Sequence, residues 1–269
     1  MPQYLFSIPD LEEQCQNAPG LLLALDYDGT LVPIAPRPEE ARPSSAVLAL
    51  LSQLAAVASV QVAVMSGRPL AQLCALLPIP GITYVGIHGL EMRTAGGEMR
   101  RLMPAGAFTT VMTYLHRDLT PLLEGRAGFW LEDKRSALAL HYRLAPPEEQ
   151  AEVIAEFLAV VQAYQRRGIS LEVVHGKKAV EVRPLGVNKG KAMQFLLERR
   201  ENGALPIYFG DDATDEDAFR VLNNRGLTVL VADPPRRTAA RYYLRNPEEV
   251  LRSLVRFLKL RQSSGPRLE

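Results

Sequence analysis

The sequence is poor in the residues of thiol and zinc chemistry. It has two cysteines, Cys15 and Cys74, and four histidines among 269 residues. Two cysteines make no disulfide framework, and no two histidines stand at the close spacing of a zinc-binding helix. Neither sign of charge dominates: 31 lysines and arginines face 30 aspartates and glutamates, for a formal net charge of +1. That balance argues against a general nucleic-acid binder and against an acidic tail. No uncharged apolar run approaches the roughly 18 residues that cross a membrane. The opening, MPQYLFSIPDLEEQ, has neither the basic start nor the apolar stretch of a signal peptide. The expectation is a cytoplasmic protein with no nucleic-acid and no membrane partner.

Hydrophobic residues make up 47% of the chain, enough for a substantial core in one large domain or two modest ones. The stretch Leu21 to Leu25 is apolar throughout rather than alternating, which predicts a strand of a parallel sheet buried on both faces. Asp26 and Asp28 follow at its carboxyl end, where open α/β sheets carry their chemistry. A helix over 46–56 capped by Ser44 or Ser45, a strand over 60–65, a helix after Pro69 and a strand over 83–87 complete a β-α-β-α-β rhythm, that of a doubly wound sheet. Residues 1–20 read as a leader with a short helix near 10–13.

The rhythm changes near Pro104. A helix over 107–123, strands over 129–132 and 137–143, a helix from Pro146 to about Arg167 and a hairpin of 170–174 with 179–183 give α-β-β-α-β-β. The first rhythm then returns, with a helix over 189–200, a strand over 205–209, a helix over 215–222, a strand over 227–231 and a last helix opened by Pro247. The expected fold class is α/β: a parallel-sheet core over 1–104 and 184–269, interrupted by an α+β domain over 105–183.

Four short motifs end core strands or open core helices: Asp26-Tyr27-Asp28-Gly29-Thr30, Ser66-Gly67-Arg68, Lys189-Gly190 and Gly210-Asp211-Asp212-Ala213-Thr214-Asp215. A parallel sheet delivers its strand ends to one edge, so residues far apart in sequence meet there. Carboxylates this dense repel unless a cation or a shared proton relieves them, and Mg2+ prefers oxygen donors. A carboxylate can attack phosphorus, and a second acid can protonate a leaving alcohol and later deprotonate water. Thr30 and Ser66 offer hydroxyl donors, Lys189 a charge, and Gly29 and Gly67 close approach of backbone amides. Mg2+ can screen Asp26 from the phosphate, with Asp211 as a further ligand.

The four motifs resemble those of the haloacid-dehalogenase-like phosphatases, over residues 21–250. Within that superfamily, GDDATDEDAF at 210–219 and GIHGLE at 86–91 are similar to the trehalose-6-phosphate phosphatase family. So are Glu132, Lys134, His141, Tyr142 and Arg143 of the insert, and the run Glu181-Val182-Arg183-Pro184. The resemblance implies a Rossmann-like core with the insert as a cap domain for substrate specificity. It implies Asp26 as nucleophile and Asp28 as general acid and base, with Ser66 and Lys189 on the phosphoryl group. It implies Mg2+ held by Asp26, the Asp28 carbonyl and Asp211, with Asp212 or Asp215 in the outer shell. His88, Gly89, Glu132, Lys134, His141, Arg143 and Glu181 are implied on the sugar side. Asn188 departs from the serine that many relatives carry. Trp130 reads as packing rather than sugar stacking.

The implied activity is hydrolysis of trehalose 6-phosphate through an aspartyl-phosphate, with a trehalose-phosphate synthase as functional partner. Sucrose phosphate and glycosyl phosphoglycerate are the alternative substrates. A phosphotransferase and a non-catalytic sugar-phosphate-binding protein are the alternative roles.

Overall fold

The computed structural model describes residues 1–263 apart from 102, 104, 105, 107 and 202. The chain divides into two compact units, one of Met1–Arg100 with the residues from Asn188 onward, the other of Arg101–Val187. The Pro184-Leu185-Gly186 turn stays with the second unit, because a strand runs through Pro184 and Val187 N bonds the Pro184 carbonyl at 3.3 Å. The boundary expected at Pro104 lies outside the described residues.

The first unit is built on nine strands. Its elements up to the insert are β1 (Gln3–Tyr4), α1 (Leu11–Asn17), β2 (Leu21–Asp26), α2 (Ser45–Ala55), β3 (Val60–Met65), α3 (Leu70–Leu76), β4 (Thr83–Gly86), β5 (Glu91–Arg93) and β6 (Met99–Arg101). The insert holds α4 (Thr109–Leu119), β7 (Trp130–Asp133), β8 (Leu138–His141), α5 (Pro147–Arg166), β9 (Leu171–Gly176) and β10 (Ala179–Pro184). The first unit resumes with α6 (Lys189–Glu198), β11 (Leu205–Gly210), α7 (Glu216–Leu222), β12 (Leu227–Val231), β13 (Tyr242–Leu244) and α8 (Pro247–Ser263).

The sheet order is β1-β13-β12-β11-β2-β3-β4-β5-β6. Strands from β1 to β4 in that order pair parallel, and β5 pairs antiparallel with β4. The chain runs outward from β2 through β3 and β4, then restarts at β11 and runs the other way. β2 and β11 therefore flank the topological switch point, where an open α/β sheet leaves a crevice outside its carboxyl ends. Both faces of the sheet are covered, which is why β2 is apolar at every position before Asp26. Leu21, Leu23 and Leu25 join a core with Leu51 and Leu54 of α2 and Leu254 and Phe257 of α8. Leu22 and Ala24 join the opposite core with Met193 of α6 and Phe219 of α7.

The sequence reading lacks β1, β5, β6 and β13. These are two- and three-residue strands at the sheet's edges or next to them, too short to show a period. The strand expected over 83–87 stops at Gly86, because Ile87 and His88 have φ of 46° and 53°.

The second unit is a four-stranded antiparallel sheet, order β7-β8-β10-β9. Leu138, Leu140, Val180 and Val182 point to one face and pack with Leu115 of α4 and Phe157 and Val161 of α5. Strand alternation sends Glu132, His141 and Glu181 to the other face. The helix expected over 107–123 is α4 followed by a 3-10 turn over Thr120–Leu123. Pro121 has no N–H to continue the α ladder. Residue 107 is outside the described set. No described helix is long and apolar enough to cross a membrane.

Candidate active site

Asp26 ends β2 and is buried, and the first residue of α6 reaches it from the side. Lys189 Nζ donates to Asp26 Oδ1 at 2.5 Å and to Asp215 Oδ1 at 2.7 Å. The start of α6 is set by Asn188, whose Oδ1 accepts the Lys191 N–H at 2.9 Å. The asparagine thus caps the helix as a serine does. Asp215 Oδ1 also accepts the Tyr208 hydroxyl at 2.7 Å, and Oδ2 accepts the N–H groups of Asp211 at 3.0 Å and Asp212 at 2.9 Å. Four donors occupy the four acceptor directions of this carboxylate. Asp215 is therefore the anchor of the β11 loop and of the lysine together. Asp212 serves the same turn, its carboxylate capping the Ala213 N–H at 2.8 Å.

Carboxylate oxygens of Asp26, Asp211 and Asp215 lie within 4.8 Å of one another. Three buried acids here face one ammonium. Burial raises the Asp26 carboxyl well above the usual range, and Asp215 and Asp211 add to this against the pull of Lys189. Burial acts on Asp215 in the same direction, but Lys189, the loop amides and Tyr208 outweigh it and hold that carboxyl low. Lys189 is raised, because the attraction of Asp215 and Asp26 exceeds the effect of burial. An oxygen-only donor set with an excess of negative charge suits a hard divalent cation. The carboxylates of Asp28 and Asp212 stand outside this group.

Asp28 is engaged elsewhere. Arg68 Nε and Nη2 donate to its two oxygens at 2.8 and 2.7 Å, a two-point pair. Nη2 also donates to the Pro38 carbonyl at 2.6 Å, and the guanidinium lies 5.1 Å from the Tyr27 ring centroid. Arg68 is buried whereas the Asp28 side chain is 38% exposed. Thr30 is fully buried, with no hydrogen-bond partner for Oγ1 among the described residues. Ser66 is buried at the end of β3, and its Oγ accepts the Arg68 N–H at 3.1 Å. The loop after β4 is fastened alongside: Ile87 N donates to the Arg68 carbonyl at 2.9 Å and His88 N to the Ser66 carbonyl at 3.0 Å. These bonds hold Ile87 and His88 in the left-handed region, which costs a β-branched residue most. The His88 ring fills the place of a Gly67 side chain, its Nε2 being 2.5 Å from where a Cβ would stand. Gly89 lies against the start of α6, with no room for a Cβ beside the Asn188 carbonyl. At Gly29, with φ +86°, a Cβ would overlap Asp211 Oδ2. That glycine is what lets the β2 and β11 loops touch.

On the polar face of the second unit, Glu132 Oε2 and His141 Nε2 are 2.9 Å apart. Lys134 Nζ donates to Glu181 Oε2 at 2.6 Å and stands 3.8 Å from Glu132. Burial raises the Glu132 carboxyl, but the His141 hydrogen bond and the Lys134 charge together bring it below its ordinary value. The Trp130 ring stacks on His141, centroids 4.0 Å apart and planes 7° from parallel. Arg143 stands apart from this cluster: it is exposed and donates to the Lys177 carbonyl at 2.6 Å.

Two groups of the core site carry no role in the sequence reading. Arg68 was visible as the third residue of a strand-end motif, but its partner 40 positions away was not. Tyr208 had no signal beyond being an aromatic residue of a core strand.

A sequence profile of the trehalose-phosphatase family matches residues 24–248. A trehalose-phosphate phosphatase of Mycobacterium marinum is 33% identical over 92% of this chain and 65% of its own. A trehalose 6-phosphate phosphatase of Zea mays is 33% identical over 86% of this chain and 67% of its own. Among solved structures, the C-terminal domain of a Candida albicans trehalose-6-phosphate phosphatase superposes with a TM-score of 0.83 at 26% identity, covering 96% of this chain and 98% of that one. The fold is thus that of the haloacid-dehalogenase-like phosphatases, and the chain belongs to the trehalose-phosphatase family.

Proposed function

We propose that this protein is a Mg2+-dependent phosphatase that hydrolyses trehalose 6-phosphate to trehalose and inorganic phosphate through an aspartyl-phosphate. The observation that carries the reading is the buried Lys189 ammonium between Asp26 and Asp215, with Asp211 alongside, in a chain of this family. Asp26, Asp211 and the Asp28 carbonyl would hold Mg2+, with Asp212 and Asp215 behind them. The ion supplies the charge that relieves repulsion between Asp26 and a phosphate dianion.

The chain's own groups do the rest. An Asp26 oxygen attacks phosphorus as the bond from phosphorus to the sugar oxygen breaks, and Asp28 gives that oxygen its proton. Lys189, Ser66, Thr30 and the Gly67 amide hold the oxygens that are not transferred. Asp28 then takes a proton from the water that attacks the acyl phosphate, which releases phosphate and restores Asp26. Arg68 aims Asp28 through its two-point pair. The polar face of the second unit recognises the sugar, with Glu132, Lys134, His141 and Glu181 as hydrogen-bonding groups. Buried polar groups of this kind discriminate strongly against ligands lacking the matching hydroxyl. As a cap, this unit keeps water from the reacting phosphoryl group. On this reading a trehalose-phosphate synthase supplies the substrate.

The test is phosphate release with Mg2+ from trehalose 6-phosphate, sucrose 6-phosphate, glucose 6-phosphate and glucosyl-3-phosphoglycerate, with Asp26→Asn as the blank. A strong preference for trehalose 6-phosphate that vanishes in the blank is expected. Preference for another member overturns the substrate and leaves the phosphoryl chemistry standing. Tight binding with no turnover by the folded, metal-loaded protein overturns both.

A further inference from the structure

The loop between β12 and β13 has no part in the chemistry above, yet one carboxylate ties it to the site. Glu216, the first residue of α7, accepts three hydrogen bonds from that loop. Thr238 Oγ1 at 2.7 Å and Arg236 Nη1 at 3.2 Å reach Oε1, and Ala239 N at 2.8 Å reaches Oε2. An acidic residue that only complements a helix dipole is solvated. The Glu216 side chain is instead 13% exposed and used by three donors.

The second nitrogen of Arg236 continues the chain of contacts. Nη2 donates to the Asp211 carbonyl at 3.3 Å. The N–H of the same peptide unit, that of Asp212, donates to Asp215 Oδ2 at 2.9 Å. The peptide that follows Asp211 is thus gripped at both ends, by Arg236 on its oxygen and Asp215 on its nitrogen. Holding both ends fixes the plane of that peptide, and with it the direction in which Asp211 projects its carboxylate.

We propose that Glu216 and Arg236 are positioning residues that aim Asp211 for a divalent cation, with Thr238 and the Ala239 amide holding Glu216 in turn. The inference rests on the reading that Asp26 and Asp211 bind the ion. Groups one step behind metal ligands typically contribute about 10- to 100-fold in metal affinity, and the expected effect lies at the lower end because Asp215 still holds the other end of the peptide.

The experiment titrates Mn2+ into the metal-stripped protein and reads free Mn2+ by electron paramagnetic resonance. Arg236→Met and Glu216→Gln are compared with wild type, with Arg237→Met at the exposed neighbouring position, and with Asp211→Asn. The expected result is Mn2+ affinity about tenfold weaker in Arg236→Met and Glu216→Gln, and unchanged in Arg237→Met. The Mg2+ concentration for half-maximal turnover rises by a similar factor, and kcat at saturating Mg2+ falls less than about threefold. Should Arg236→Met fail to fold by circular dichroism, Arg236→Lys reports the same loss, because one ammonium cannot replace the guanidinium fork between two acceptors. Wild-type Mn2+ affinity in both Arg236→Met and Glu216→Gln overturns the proposal while the metal reading stands. Wild-type protein that binds no Mn2+, or Asp211→Asn that binds it undiminished, overturns the metal reading and the proposal with it.

Discussion

Replacing Gly29 by alanine separates two effects that the structure allows to be weighed. The residue has φ +86°, and a Cβ there would stand 2.5 Å from Asp211 Cγ. The left-handed backbone alone costs a non-glycine residue about 1–2 kcal/mol. The collision adds to this, because the Asp211 carboxylate must withdraw by about 1 Å to reach ordinary contact, and Asp211 is buried among Asp26, Asp215 and the loop amides. A total of about 2–4 kcal/mol is expected, in the range of strained or overpacked buried positions. Gly97 is the internal control: its φ is +85°, and nothing lies within 4 Å of its would-be Cβ. Gly97→Ala therefore reports the backbone strain alone, and the difference between the two variants is the cost of crowding Asp211. A catalytic group misplaced by about 1 Å can lose roughly 100-fold in rate, so Gly29→Ala loses turnover and Gly97→Ala does not. The measurements are urea unfolding and kcat/KM for trehalose 6-phosphate. Equal destabilisation of the two variants, with turnover retained in both, would refute the claim that the β2 and β11 loops need this contact.

Three further outcomes follow from the same geometry. Arg68→Lys keeps a charge but not the two-point pair with Asp28, so kcat falls about tenfold or more with a smaller change in KM; unchanged kcat in steady-state kinetics removes Arg68 from the positioning of Asp28. Tyr208→Phe deletes one of four donors to the buried Asp215 carboxylate, and chemical unfolding should show a loss of about 1.5–3 kcal/mol; a loss within experimental error means the hydroxyl does not hold that loop. For His141→Gln the readout is pH. The Glu132 carboxyl is held below its ordinary value despite burial, by His141 and Lys134. Its contribution to stability is therefore complete above the unfolded value of about 4.3 and is lost as pH falls through the lower folded value. Without the ring the folded value rises, and acid unfolding begins at higher pH; carboxyl carbon NMR showing an unmoved Glu132 titration rules out His141 as the cause.

The parts of this molecule legible in its sequence are those decided by local pattern. The apolar runs at 21–25, 60–65 and 227–231, the last two broken by a single polar residue each, read as strands covered on both sides, and a parallel sheet must then bring Asp26, Ser66 and Asp211 to one edge. Lys189 could be placed with them because a helix begins at that residue. The division of labour among the acids was less visible. Asp28, Asp211, Asp212 and Asp215 look alike as carboxylates in turns, and only the donors around each separate them: Arg68 for Asp28, four donors for Asp215, a helix cap for Asp212. The donors to Asp28 and Asp215 stand 3 to 40 positions away in sequence, which no period or motif encodes. The edge strand β1 and its neighbour β13 form for a similar reason, since each is made by its partner rather than by its own composition. Pro121, by contrast, was in plain view, and the helix expected to run through it stops just short.

The pairing of β1 bears on a different property of the protein. Gln3 and Tyr4 lie parallel to Tyr242 and Tyr243, with Gln3 N bonded to the Arg241 carbonyl at 2.9 Å. Tyr4 is pinned there by its hydroxyl on Glu249 at 2.8 Å and by the Arg245 guanidinium 4.8 Å from its ring centroid. Two residues thus blunt one rim of a nine-stranded sheet, and a strand at a rim left bare is a template for any extended chain that meets it. A fusion or trimming that unseats Gln3 and Tyr4 leaves the loops around Asp26 untouched at the carboxyl edge. It gives β13 a free ladder of amides and carbonyls instead, so the first property to go is colloidal: copies begin to add to one another edge to edge.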